Sequence, residues 1–230
     1  DQLKNSFNTY YKGDVFPMEE NLTGEIQNYW VGDNIAAYIN PDGYFKAFYQ
    51  GKTTELLFNA VIKGVKTGKN TMAFINDNIG TFNVLYKDKL FELEDFTPKW
   101  YRVGDDFVAY YSNDNVFKVF YKGRELILGY FDPKQVTVRD DVMAFTHDNL
   151  FKVFYKGEVT QLESYVPSSF IMDYQTLVYV DPYGNLKGFS EGVVKSNIAS
   201  AVRSFEVSYN IISFDLGNRN NKVFYKGKLY

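Results

Sequence analysis

A seven-residue pattern, Phe-Lys-Val-Phe-Tyr-Lys-Gly, recurs along this chain and limits its fold more than any other feature. It reads FNTYYKG at 7–13, FKAFYQG at 45–51, FNVLYKD at 82–88 and FKVFYKG at 117–123. It continues as FKVFYKG at 151–157, LKGFSEG at 186–192 and NKVFYKG at 221–227. The closing positions, Gly13, Gly51, Asp88, Gly123, Gly157, Gly192 and Gly227, are spaced 38, 37, 35, 34, 35 and 35 residues apart. A fixed period of this size marks a repeat protein, in which each unit is one supersecondary element packed on its neighbours.

The middle repeat shows the unit. Lys99–Val103 is a strand-like run (d), and Gly104-Asp105-Asp106 turns. Phe107–Ser112 is a second run (a), and Asn113-Asp114-Asn115 turns. Val116–Tyr121 is the third (b), Lys122-Gly123 turns, and Arg124–Leu128 is the fourth (c). Asn, Asp and Gly suit the tight hairpin turns between such runs. The run a is small and apolar, as in Met72-Ala73-Phe74 and Val142-Met143-Ala144-Phe145. Such a run is covered on both faces. No helical spacing is sustained. With 20 Tyr, 21 Phe and 2 Trp, aromatic side chains make up 19% of the chain, which favours strands.

A lone four-stranded meander leaves two faces and two edges open. Radial repetition covers the faces, so the expected fold is an all-β propeller of four-stranded antiparallel blades. The repeats run roughly 1–25, 26–60, 61–98, 99–134, 135–168, 169–203 and 204–230, within a single propeller domain covering 1–230. Run b occurs seven times and runs d and a six times, which points to seven blades. The ring would be closed by N- and C-terminal segments sharing one blade. Six blades with an N-terminal extension is the alternative.

Composition removes several function classes. With 25 Lys plus Arg against 28 Asp plus Glu, the net charge is −3, without the basic stripe of a nucleic-acid surface. There is no Cys, so thiol catalysis, disulfides and Cys-ligated zinc are excluded. The single His147 cannot supply a two-histidine site and reads as a turn residue in register with Asn113. No glycine-rich phosphate loop occurs. Asn40 and Asn185, near Asp42 and Asp181, could ligate calcium, but no calcium-loop spacing is present. No catalytic residue, metal or other cofactor is expected. No run reaches the length of a membrane span. The chain starts at Asp1, so the reading is a processed periplasmic or extracellular protein whose signal peptide has been removed.

Two candidate surfaces remain. The b-run lysines Lys46, Lys118, Lys152, Lys187 and Lys222 recur in half-buried strands and need partners. Asp33, Asp105 and Asp140 of neighbouring d–a turns are the candidates, with a cationic ring for an anionic ligand as the functional reading. The d–a and b–c turns should share one end of the fold, and the a–b turns and long c–d loops the other. That second end collects Phe58, Phe96, Tyr130, Phe131 and Tyr165 with Asp95 and Asp132. Long loops are the variable elements that carry binding, so these seven residues are the expected partner-binding set. Trp30 and Trp100, in run d, fit core packing better than a channel ligand. The expected role is a non-enzymatic protein-interaction module. A glycan-binding, lectin-like propeller is the alternative. Loss of the Tyr-Lys pair at Ser190-Glu191 favours one asymmetric partner over equivalent pockets.

The repeats resemble those of aromatic-rich propeller proteins of the Bacteroidota envelope, whose blades also read Phe-Lys-Val-Phe-Tyr-x-Gly. The resemblance covers nearly the whole chain. Within that group it extends to the periplasmic plug subunits of the type 9 secretion translocon. It implies a propeller that occludes the periplasmic mouth of a large outer-membrane β-barrel, its protein partner. No functional motif carries the resemblance, so it transfers no site residues.

Overall fold

The computed structural model describes residues 6–230, and every regular element among them is a β-strand. Seven sheets form, each from strands consecutive in sequence. The first has two strands, Phe7–Tyr11 and Asp14–Glu19. The other six are four-stranded antiparallel meanders in the order d-a-b-c, spanning 28–58, 62–94, 100–129, 134–163, 170–199 and 204–229. These are the repeated blades of a propeller, and their strands follow the expected runs. Among the described residues no sheet combines strands from both ends of the chain.

The chain divides into two compact units, Asp1–Tyr130 and Phe131–Tyr230. In the first unit, Ile35, Ala37, Phe45 and Ala47 of the second sheet pack on Met72, Phe74 and Leu85 of the third. The opposite face of the third sheet, Ala73, Ile75, Phe82 and Val84, packs on Val108, Tyr110 and Phe120 of the fourth. Alternation therefore buries both faces of the inner a and b strands, while the d and c strands stay half exposed. The second unit repeats the scheme. There Val142, Ala144, Phe151 and Val153 meet Leu177, Tyr179 and Phe189, and Val178 and Leu186 meet Ile212 and Phe214.

Close packing of the d–a turns explains their glycines in the first unit. A Cβ on Gly32 would stand 2.1 Å from the Gly68 carbonyl oxygen, and one on Gly68 2.0 Å from that of Gly104. Neither glycine has positive φ, so the requirement is space. Across these turns Asn34 Nδ2 donates to Asn70 Oδ1 at 2.8 Å, and Asn70 Nδ2 to Asp106 Oδ1 at 2.8 Å. The b–c turns explain their Tyr-Lys-Gly signature. The Lys takes positive φ, as at Lys122 (49°) and Lys156 (49°). Its ammonium then lies over the preceding ring, 5.3 Å from the Tyr121 centroid and 4.9 Å from that of Tyr155.

Three of the b-run lysines, Lys46, Lys118 and Lys187, have partners, but not the expected ones. Lys118 Nζ pairs with Glu94 at 2.8 Å, from the end of the c strand of the preceding sheet, and with Glu125 at 3.1 Å. The Tyr110 hydroxyl donates to Glu125. Lys46 likewise pairs with Glu19 at 2.8 Å, where the Tyr38 hydroxyl also donates. Lys187 pairs with Glu163 at 2.9 Å, where the Tyr179 hydroxyl donates. Of the expected d–a Asp residues, Asp140 lies 3.8 Å from Arg139, and Asp106, next to Asp105, pairs with Lys122 at 3.3 Å. The clasp needs a Glu opposite the first residue of run b, as in Phe7↔Glu19, Phe82↔Glu94 and Phe151↔Glu163. The alternate sheets place Leu57, Gly129 and Ala199 at that position and offer no such Glu. Lys46, Lys118 and Lys187, three of the five b-run lysines, are therefore inter-sheet ties.

Two outcomes follow from this packing. Gly68→Ala forces a Cβ into backbone and should lower unfolding free energy by about 1–3 kcal/mol in urea melts. Burial pulls the Lys118 ammonium down, but its bonds to Glu94 and Glu125 outweigh that and the net shift is upward. A raised pKa means stability that is full below the unfolded value near 10.5 and lost as pH rises through the folded value. The buried phenols of Tyr38, Tyr110 and Tyr179, also raised, act in the same direction. Melting temperature should therefore fall above pH 10, and Lys118→Met should flatten part of that fall while lowering stability at pH 7.

Candidate functional site

Hydrogen bonds confirm how the turns sort. The b–c turns bond to d–a turns, with Lys87 N donating to Asn70 O and Glu191 N to Gln175 O. At the other end, Asn59 N donates to Gly43 O and Val202 N to Gly184 O, joining c–d loops to a–b turns. That end holds the candidate partner-binding residues, and each unit contributes its own set.

In the first unit the c–d loops present Phe58, Phe96 and Tyr130 with 59%, 65% and 80% of their surface exposed. Phe58 ends a c strand and leans on Tyr44, ring centroids 4.8 Å apart. Asn59, next in the loop, accepts through its carbonyl from Asn78 Nδ2 in the a–b turn of the following sheet. That turn carries Ile79, 62% exposed, which the sequence reading did not single out. Asp95 beside Phe96 is exposed. The result is a rim of apolar side chains between acidic turns, with Asp77 held by Lys63 at 2.5 Å.

The second unit divides the expected residues differently. Phe131 is half buried and stacks on the His147 imidazole, 3.6 Å and 10° between rings. His147 ends an a strand, followed by an Asp148-Asn149 turn with both φ positive, so it is a strand residue where a turn residue was expected. Its Nε2 lies 3.0 Å from Asp148. Asp132 pairs with Lys134. Tyr165 is half buried near Glu163, Lys187 and Asp181; burial pushes its phenol up and Glu163 adds to this. Phe131, Asp132 and Tyr165 thus hold the loops in place, and Tyr183, 88% exposed on an a–b turn, is the second unit's exposed ring at this end. Ile79 and Tyr183 sit between turn formers at a hairpin tip, where no strand face can bury a side chain. That placement was readable from Asp77-Asn78-Ile79-Gly80 and Asp181-Pro182-Tyr183-Gly184.

The acidic a–b turns build their own geometry. Asp181 is buried; its Oδ1 accepts from the backbone of Tyr183 at 2.9 Å and Asn185 at 2.8 Å, and its Oδ2 from Asn185 Nδ2 at 3.0 Å. Burial alone would raise its pKa, yet these bonds and Lys187 lower it to about 2. Asn40 and Asp215 cap their turns the same way, accepting from Tyr44 N and Gly217 N. Among the described residues no group of three or more His, Cys, Asp or Glu side chains is placed to hold a metal ion. Trp30 and Trp100 pack against Phe45 and Phe117. Among the described residues no helix is long and apolar enough to cross a membrane.

Among solved structures, the chain is similar to the computationally designed Ika8 protein at 18% identity, covering 94% of this chain and 78% of that one, with a TM-score of 0.36. It is similar to Prp20p of Saccharomyces cerevisiae at 8% identity, 90% and 74% coverage and a TM-score of 0.43. PorZ, a surface component of the type-IX secretion system of Porphyromonas gingivalis, matches at 9% identity, 86% and 32% coverage and a TM-score of 0.35. No curated protein matches the chain. One family model matches residues 1–230, that of the 10-bladed beta propeller domain. The described residues form seven sheets, one for each b run, where the family's description counts ten blades. The chain therefore belongs to the 10-bladed beta propeller domain family.

Proposed function

We propose that this propeller is a non-enzymatic protein-interaction module, a subunit of an envelope complex. The observation that supports it is the apolar rim of the first unit: Phe58, Phe96 and Tyr130 stand largely exposed on loops that rigid sheets position. Large exposed rings are unfavourable in water and are the side chains that anchor protein interfaces. Asp95 beside them adds charge that suits a basic border on the partner. The chemistry of an enzyme is poorly supplied here. His147 is stacked on Phe131, and Asp181 and Asp215 are bonded into their own turns.

The finer reading rests on the resemblance of the repeat to envelope propellers of the Bacteroidota. On that reading the protein works in the periplasm or outside the cell, and the partner is a large outer-membrane β-barrel whose periplasmic mouth it plugs. The mechanism would be steric: the protein docks by its rim and blocks passage. Protein is favoured over glycan because equivalent sugar pockets would need equivalent gaps, and the gaps differ, with Tyr155 in one and Ser190 in the next.

The test is affinity purification from envelope extract with Phe58, Phe96 and Tyr130 changed together to Ala. These side chains are exposed, so the melting temperature should stay within a few degrees of wild type. Recovery of a stoichiometric protein partner should fall at least about tenfold, the equivalent of about 1.4 kcal/mol. Equal recovery by wild type and the triple variant would remove the rim from the account. A partner of barrel type supports the finer reading, and a stoichiometric partner of another kind overturns it.

A further inference from the structure

The repeat is broken at one gap in the second unit, and the break leaves a cavity. In the intact pattern, the last aromatic of run b in one sheet packs edge-on against the run-b Phe of the next. Tyr11 meets Phe48 at 5.9 Å and 73°, Tyr86 meets Phe120 at 6.1 Å and 70°, and Tyr155 meets Phe189 at 5.5 Å and 75°. In the first two of these gaps a c-strand ring adds to it, Phe16 on Phe48 and Phe91 on Phe120. Between the sixth and seventh sheets the Tyr position is Ser190 and the c-strand position is Lys195. Phe224, the next Phe of the series, has no ring against it among the described residues and is half exposed.

The glycine of the b–c turn reports the same vacancy. A Cβ on Gly192 would lie 3.3 Å from the Tyr155 ring, whereas one on Gly227, its counterpart, would meet nothing within 4 Å. The cavity there is about 360 Å³, with Phe224, Ile212 and Val193 as its apolar walls and Ser190, Glu191, Asn210, Lys195 and Lys226 as its polar ones. The matching recess one gap earlier is about 280 Å³ and has the Tyr155 ring as a wall.

We propose that this notch binds a tyrosine side chain of a partner protein. The intact gap supplies the template. There the Tyr155 hydroxyl donates to Gln175 Oε1 at 2.8 Å, and Lys156 lies over the Tyr155 ring. Asn210 occupies the place of Gln175, second in the d–a turn, and its amide nitrogen already donates to Glu191 at 3.1 Å. Its carbonyl oxygen is the acceptor for an incoming phenol. Glu191 stands where the preceding gap carries Lys156, and Lys195 and Lys226 line the cavity beside it, so its charges are mixed. An entering Tyr side chain would restore what the repeat lacks: ring on Phe224 and hydroxyl on Asn210. The notch lies at the b–c turn end and does not depend on the rim of c–d loops.

The probes are p-cresol and acetyl-tyrosine-amide, titrated against the whole chain with NMR detection of Ile212 and Phe224. Saturable shifts in the millimolar range are expected for both. Ser190→Tyr fills the notch from within and should weaken both probes at least tenfold. Phe224→Leu, the residue the third sheet carries there as Leu85, keeps the core apolar and should weaken p-cresol several-fold. Absence of shifts in the wild-type protein, or undiminished binding in both Ser190→Tyr and Phe224→Leu, would overturn the proposal.

Discussion

The inner strands of these sheets are apolar on both faces, and that fact governs the rest of the structure. Met72, Ala73 and Phe74 follow one another with no solvent contact, as do Val142, Met143 and Ala144. A sheet with such a centre cannot face water on either side, so each needs a neighbour on both. Burying a side chain of this kind contributes about 1.5–3 kcal/mol, and every inner strand carries several. Aromatic pairs such as Phe45–Phe74 and Phe82–Tyr110 fill the space between sheets edge to face. Polar groups enter that space only where they are answered. The Lys-Glu-Tyr clasps do this at the sheet ends, since a half-buried ammonium without a carboxylate would be strongly unfavourable.

Much of this was legible in the chain. The period, the turn residues and the small apolar a runs led to the meander, its strand order and the sorting of turns between two ends. They did so because alternation and hairpin chemistry are local. The partners of the b-run lysines were not legible. Choosing Glu94 over Asp105 for Lys118 requires knowing that a bulge near Glu92 sets Glu94 opposite Phe82, at the end of the strand. That is a property of inter-strand register, which no local pattern reports. The candidate site divided along the same line. Exposure of Phe58, Phe96 and Tyr130 followed from their place in or beside loops, while Phe131 and Tyr165 sit in loops too but find His147 and the Glu163 cluster to lean on. Long-range contacts decide that, and composition cannot.

Function in a repeat protein has to come from where the repeats differ, because the shared residues are consumed by packing. The clasped gaps and the Tyr-Lys-Gly staples are common property and hold the sheets together. The rim side chains are not, and neither is Ser190. One difference adds exposed rings at the c–d loops; the other removes a ring between two sheets. Both create surface that the rest of the chain does not need for stability, and both suit aromatic contacts with another protein.

Amide hydrogen exchange tests the central claim most directly. If burial between sheets holds the fold, hydrogen-bonded amides of the inner strands Thr71–Asn76, Thr81–Tyr86, Val142–His147 and Leu150–Tyr155 exchange only through the largest opening. Hydrogen-bonded amides of the c strands Lys89–Glu94 and Glu158–Glu163 should exchange at least about a hundredfold faster, by local opening. Equal protection of inner and outer strands would contradict it, since each sheet would then be held by its own hydrogen bonds and not by its neighbours.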